Sequence, residues 1–290
     1  MTDLLEAPLC LPPRPLRNRA GLSLPAGTCD THFHVFPEGA PLASPRSYTP
    51  TTQPLEGWLA LARSFGIDRG VLVQPSVYGT DNSALLGTLA THPERLRGIV
   101  VIPPGTSDDA LVRMDALGVR GIRINLRNKS GIGFDALAEL APRIRRLGWH
   151  VVFQVGPDTI ATVADLTARH HIVGIIDHLA FMPLDEPGTA YEDLHRALDT
   201  GRIYVKISAP YRLRDHADHV GYRKLLSMLA VRYPNRLLWG TDWPHTELFE
   251  SVPEDDDLVA LSLSALPPES HESIFVKNPE TLYFRPAGDA

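Results

Sequence analysis

Only two of the 290 residues are cysteine, and no apolar stretch approaches the roughly 20 residues of a membrane-spanning helix. Cys10 and Cys29 form no metal-ligand spacing and are too few for a disulfide framework. Free thiols in a reducing cytoplasm are therefore expected, with Cys29 a small buried filler. The basic excess of a nucleic-acid binder is also missing, because 28 Lys and Arg stand against 34 Asp and Glu for a net charge of −6. The first residues carry Asp3 and Glu6 and no long apolar core, so a signal peptide is not expected. What is present is ordinary globular composition, 43% hydrophobic and 21% charged. The length suits an α/β barrel, typically about 250 residues. Oligomeric state is not legible.

Residues 1–26 hold Pro8, Pro12, Pro13, Pro15 and Pro25 without periodicity and read as an extended N-terminal arm. From there to residue 290, β-rich apolar runs alternate with amphipathic helical stretches. Strands are expected at 28–34, 69–75, 97–102, 119–124, 150–155, 172–178, 202–208 and 236–241. Helices are expected near 55–66, 82–92, 107–117, 135–147, 158–170, 189–200, 217–232 and 256–266. This pattern predicts a single (β/α)8 TIM barrel over 27–290. Gly66, Gly118 and Gly148 follow helical runs, where a left-handed C-terminal cap favours glycine. The Pro/Ser/Thr-rich segment 35–54 and the shorter 179–188 follow strands and are candidate site loops.

In such a barrel the chemistry gathers at the C-terminal ends of the strands. The first strand offers His32 and His34, two apart and so on one face. The second ends near Ser76. The fourth carries Arg123 and Asn125, followed by Arg127 and Lys129, and the fifth ends at Gln154. His178 follows the sixth, Lys206 and then Arg212 the seventh, and Asp242 the eighth. A lone histidine at a strand end is commonly structural; His32, His34, His178 and Asp242 at one end form a constellation. Lys206 is divided between interior ion pair and site. His92, His170, His171, His195, His216, His219 and His271 fall on helices or far-side turns, where solvation is expected. His150 begins its strand, the wrong end for catalysis.

The segments Asp30-Thr31-His32-Phe33-His34-Val35-Phe36, Arg46-Ser47-Tyr48-Thr49-Pro50, Gly118-Val119-Arg120-Gly121-Ile122-Arg123-Ile124-Asn125, Leu147-Gly148-Trp149-His150-Val151-Val152 and Trp239-Gly240-Thr241-Asp242-Trp243-Pro244-His245 carry a resemblance. Together they resemble the amidohydrolase superfamily and, more narrowly, the 2-pyrone-4,6-dicarboxylate lactonases, over roughly residues 25 to 285. The resemblance implies hydrolysis of a carboxylated lactone, a small molecule. It makes Asp242 the general base and His32, His34 and His178 the groups that polarise the carbonyl. Tyr48, Ser76, Arg123 and Arg212 would hold the substrate. The chain departs from the family where a second arginine gives way to Lys129, with Arg127 nearby, and where a tyrosine gives way to Gln154.

A binuclear metal site would need a lysine or glutamate from the fourth strand and a histidine from the fifth, but those strands end in Arg123/Asn125 and Gln154, neither suitable. A mononuclear Zn²⁺ or Mn²⁺ site on His32, His34, His178 and Asp242 stays open. A lactone is activated enough for imidazole donors and a carboxylate base to suffice, so no required metal is the expectation. Two rivals remain: a metal-dependent decarboxylase of an aromatic or unsaturated carboxylic acid, and a catalytically silent acid-binding barrel.

Overall fold

The computed structural model describes residues 7–17, 19–184, 188–213 and 219–284. Eight parallel strands form one sheet in sequential order: β1 Cys29–Phe33, β2 Arg69–Val73, β3 Leu96–Val100, β4 Val119–Asn125, β5 His150–Gln154, β6 Gly174–Ile176, β7 Ile203–Lys206 and β8 Leu237–Leu238. Between and after them run α1 Leu55–Phe65, α2 Ser83–Thr91, α3 Asp108–Ala116, α4 Leu137–Arg146, α5 Ile160–His170, α6 Thr189–Asp199, α7 Val220–Arg232 and α8 Asp255–Ala265. The alternation is that of a TIM barrel. A last π-helical segment over 272–284 was not anticipated by the periodicity. Among the described residues no helix is long and apolar enough to cross a membrane.

β8 is only two residues long, yet the circle closes beyond it. Thr31 N–H donates to the Trp239 carbonyl at 3.0 Å, Asp242 N–H to the His32 carbonyl at 2.8 Å and His34 N–H to the Trp243 carbonyl at 2.8 Å. Buried Asp30 rivets the seam, accepting from Thr241 N–H at 2.9 Å, Thr241 Oγ1 at 2.7 Å and Trp58 Nε1 at 2.9 Å. Gly240 permits this approach: a Cβ there would stand 2.9 Å from the His32 nitrogen.

Along most strands the side chains alternate strictly. Val71, Val73, Ile99, Val152, Ile175 and Leu238 fill the barrel with Cys29, and Tyr283 of the last segment joins them. Leu72, Ile122, Ile124, Val151 and Phe153 belong to the larger core with the helices. β1 breaks the rule. Its register shifts between Asp30 and Phe33, so Cys29 packs with the interior set while Phe33 stacks on Trp58 of α1 at 4.1 Å. The irregularity changes the strand's phase and turns His32 and His34 inward.

The stretch before β1 lies along the chain's other loops. Cys10 N–H donates to the Thr49 carbonyl at 2.8 Å and Leu11 N–H to that of Leu248 at 2.9 Å. Arg14 and Arg17 each pair with Glu254 at 2.8 Å. Residues 1–6 and Asn18 of the expected arm lie outside the described residues.

Candidate active site

The C-terminal ends of β1, β6 and β8 bring four buried side chains together. Asp242 Oδ1 lies 3.5 Å from His32 Nε2, 3.9 Å from His34 Nε2 and 3.6 Å from His178 Nε2. The two imidazoles of β1 face each other at 3.3 Å through their Nε2 atoms. Strained backbone delivers two of the four: Asp242 has φ +61°, and His178 begins a left-handed run through Phe181 with φ from +49° to +55°. Non-glycine residues hold such angles at a cost, and they cluster at functional sites.

Each histidine is oriented from behind. His34 Nδ1 sits 2.7 Å from the Val73 carbonyl, which only accepts, so that nitrogen carries the proton and Nε2 presents a lone pair. His32 Nδ1 lies between a donor and an acceptor, 3.0 Å from Lys206 Nζ and 3.3 Å from Asp177 Oδ1, so its contacts admit either tautomer. His178 Nδ1 is 2.8 Å from Ser208 Oγ. Burial keeps the rings neutral, lowering His34 to about 3 and His178 to about 4, with His32 held down further by the Lys206 charge.

Lys206 belongs to an ion-pair layer beneath the histidines. Its ammonium is 3.0 Å from Asp177 Oδ1, and Arg123 NH2 is 3.4 Å from Asp177 Oδ2. Burial would raise both Asp177 and Asp242. Lys206 and His32 instead hold Asp177 well below the usual carboxylate range, and Arg212 with the three histidines does the same for Asp242. Arg212 Nε donates to Asp242 Oδ2 at 2.8 Å, and its NH2 donates to the Thr246 carbonyl at 2.8 Å.

A small cavity opens above this cluster, lined by His34, Tyr48, Ser76, Arg123, Asn128, Gln154, His178, Arg212, Asp242, Thr246 and Glu247. It thus gathers Tyr48, Ser76, Arg123, Gln154 and Arg212 with His34, His178 and Asp242, while His32 stays buried outside the lining. Arg123 is already engaged, donating to the Gln74 carbonyl at 3.0 Å and to Gln154 Oε1, while its buried Nε has no partner among the described residues. Three other expected contacts are not brought to the cavity. Asn125 turns into its own loop, accepting from the Arg127 and Asn128 amides at 3.0 and 3.1 Å. Arg127 is exposed, its guanidinium 3.8 Å over the Phe181 ring. Lys129 is exposed as well, with its backbone N–H on Ser47 Oγ at 2.9 Å. Asn128, Thr246 and Glu247 were missed, although each is a polar residue in a loop that follows a strand. His216 lies outside the described residues.

The donor set suits one divalent ion. His32, His34 and Asp242 offer ligand atoms within 4.8 Å of one another, and so do His32, Asp177 and His178.

The sequence profile of the amidohydrolase family matches residues 29–285, and the chain belongs to that family. It is 34% identical to a 4-sulfomuconolactone hydrolase from Rhizobium radiobacter, over 97% of this chain and 98% of that one. It is 31% identical to a 2-pyrone-4,6-dicarboxylate hydrolase from Comamonas testosteroni, over 90% and 91%. A solved structure described as a 2-pyrone-4,6-dicarboxylic acid hydrolase from Pseudomonas putida superposes with a TM-score of 0.79 at 32% identity, covering 90% of this chain and 98% of that chain.

Proposed function

We propose that this amidohydrolase opens a carboxylated lactone, of the 2-pyrone-4,6-dicarboxylate or 4-sulfomuconolactone kind, by attack of a water that Asp242 deprotonates. The observation that carries the reading is the division of labour on Asp242. Its Oδ2 is taken by Arg212 at 2.8 Å, whereas Oδ1 faces three imidazoles at 3.5 to 3.9 Å. An uncommitted carboxylate oxygen at the floor of a polar cavity is placed to accept a proton.

Water donates one hydrogen to Asp242 Oδ1 and the other to the His34 lone pair. His34 therefore orients water, and polarising the carbonyl falls to His178, the other imidazole that lines the cavity, with His32 buried behind them. As the water's oxygen bonds to the ring carbonyl carbon, its proton passes to Asp242 and the carbonyl electrons move onto oxygen. Donors aimed at that oxyanion are each worth on the order of 3 kcal/mol. The intermediate collapses, the ring C–O bond breaks, and the leaving oxygen takes the proton back from Asp242. Arg123, released from Gln154, and Arg212 face the substrate's anionic groups, with Tyr48 and Ser76 beside them and Arg127 and Lys129 at the rim. Both cysteines are free and buried, which suits a reducing cytoplasm.

No metal is required in this reading, because Lys206, Arg123 and Arg212 already bring positive charge to the site. A second reading has a specific observation in its favour, the clustered ligand atoms. His32, His34, His178 and Asp242 would then hold one Zn²⁺ or Mn²⁺, which when bound supplies Lewis-acid polarisation, and a metal-dependent decarboxylase becomes the alternative. Turnover of 2-pyrone-4,6-dicarboxylate and 4-sulfomuconolactone before and after exhaustive chelation separates the two. Full activity after chelation is expected, and loss that Zn²⁺ or Mn²⁺ restores overturns the metal-free mechanism. Failure to open any lactone would leave a silent acid-binding barrel.

A further inference from the structure

Behind Asp242, away from the histidines of β1 and β6, three polar groups, two of them buried, stand in series and take no part in the steps above. The Tyr211 hydroxyl donates to Asp242 Oδ2 at 2.7 Å. His245 Nδ1 lies 3.0 Å from the same hydroxyl, and His245 Nε2 lies 3.0 Å from Asp255 Oδ1. His245 is fully buried and Asp255 is 5% exposed. The three come from separate places: the loop after β7, the turn after β8 and the first residue of α8. A hydroxyl has one proton. If Tyr211 gives it to Asp242, its oxygen is left to accept from His245 Nδ1–H, while Nε2–H points at a carboxylate that only accepts, so the chain takes His245 with a proton on both ring nitrogens.

We propose that Asp255, His245 and Tyr211 form a positioning chain that holds Oδ2 of Asp242 and thereby aims Oδ1 at the attacking water. Tyr211 and Arg212 bind the same oxygen at 2.7 and 2.8 Å from two fixed directions, which stops the carboxylate from rotating about its Cβ–Cγ bond. Burial keeps Tyr211 a phenol, well above its ordinary range, so it stays a donor. The backbone alone holds the turn less firmly. Asp242 and His245 both sit at positive φ, +61° and +63°, joined by one hydrogen bond from His245 N–H to the Asp242 carbonyl at 2.8 Å. Anchoring His245 to Asp255 ties that strained turn to the start of α8. The proposal rests on Asp242 being the base, as argued above.

The test is a double-mutant cycle with 2-pyrone-4,6-dicarboxylate as the probe, on Tyr211→Phe, Asp255→Asn and the pair, alongside thermal denaturation. Losing a hydrogen bond to a charged group corresponds to about tenfold to a hundredfold. Tyr211→Phe is expected to lower kcat by that factor with KM unchanged, and Asp255→Asn to lower it less. In the Tyr211→Phe background Asp255→Asn should cost nothing further, since its effect travels through the missing hydroxyl. Additive losses, a loss confined to KM, or a loss of stability without a change in kcat overturns the chain.

A second readout does not depend on turnover. In ¹⁵N spectra, with the His245 ring assigned by its disappearance in His245→Gln, Asp242→Asn should move the Nδ1 resonance of His245, but not when Tyr211 is already Phe. No movement, or the same movement in both backgrounds, overturns the chain. Wild-type failure on both 2-pyrone-4,6-dicarboxylate and 4-sulfomuconolactone would refute the hydrolase reading and leave the spectra to decide the chain.

Discussion

Asp242 and Asp177 are the same residue type at the same end of the barrel, both fully buried and both held far below the usual carboxylate range. Their neighbours separate them. Asp177 is closed in by Lys206 at 3.0 Å, His32 Nδ1 at 3.3 Å and Arg123 at 3.4 Å. Asp242 commits one oxygen to Tyr211 and Arg212 and leaves the other against the cavity. Burial and a depressed pKa therefore do not single out a catalytic carboxylate. The uncommitted atom does.

Acid tests both surroundings at once and has the largest expected effect. His34 and His150 titrate at about 3 and His178 at about 4 in the fold, against 6.5 for an unburied histidine. Below 6.5 the unfolded chain binds protons that the folded chain refuses, so stability falls as pH drops toward 4. Each histidine contributes about 1.4 kcal/mol per pH unit across its window. Asp30, raised to about 6 by burial, opposes this between 3.8 and 6 and offsets part of the loss. Asp242 and Asp177 stay ionised throughout. Urea unfolding from pH 7 to 4.5 measures the slope, and a flat profile would mean these rings are already charged in the folded protein.

Asp242→Asn breaks the catalytic side of the comparison. It keeps shape and cannot take a proton, so kcat should fall about 10²–10⁴-fold. A variant retaining more than about a tenth of wild-type kcat, well outside that range, would move the base elsewhere, His178 being next.

Asp177→Asn breaks the other side. It strands Lys206 and Arg123 without a counter-ion, and removing one partner of a buried pair costs about 3–5 kcal/mol. Adding Lys206→Met should recover part of that, because one uncompensated charge leaves with it. If Asp177→Asn instead unfolds at the wild-type urea concentration yet loses turnover, the two carboxylates are not divided as described.

The smallest effect belongs to Arg123, which borders both groups. Arg123→Met should raise KM for a carboxylated lactone by the equivalent of about 1.5–3 kcal/mol and leave an uncharged lactone nearly unaffected. Equal losses on both would assign Arg123 wholly to the ion-pair layer.

Strand and helix positions were largely legible because a period of two and a period near 3.6 survive in the residue order. β6 and β8 came out shorter than the apolar runs suggested, since irregular backbone takes over just before His178 and Asp242. Asn125 shows where the pattern misleads. Its place two residues after Arg123 puts it on the inward face, but its amide is consumed by the loop that follows.

By itself the sequence determined the barrel and the set of groups at its mouth: His32, His34, His178 and Asp242 close strands whose pattern places them there. The tertiary structure alone decided what each atom offers. The proton sits on Nδ1 of His34 because of Val73, 39 residues away, and Nδ1 of His32 is met by Lys206, 174 residues away. One oxygen of Asp242 is taken by Tyr211, 31 residues away, and the other is left open. Periodicity is local and records which way a side chain faces. Tautomers and free lone pairs depend on partners that only the closed barrel brings within 3 Å.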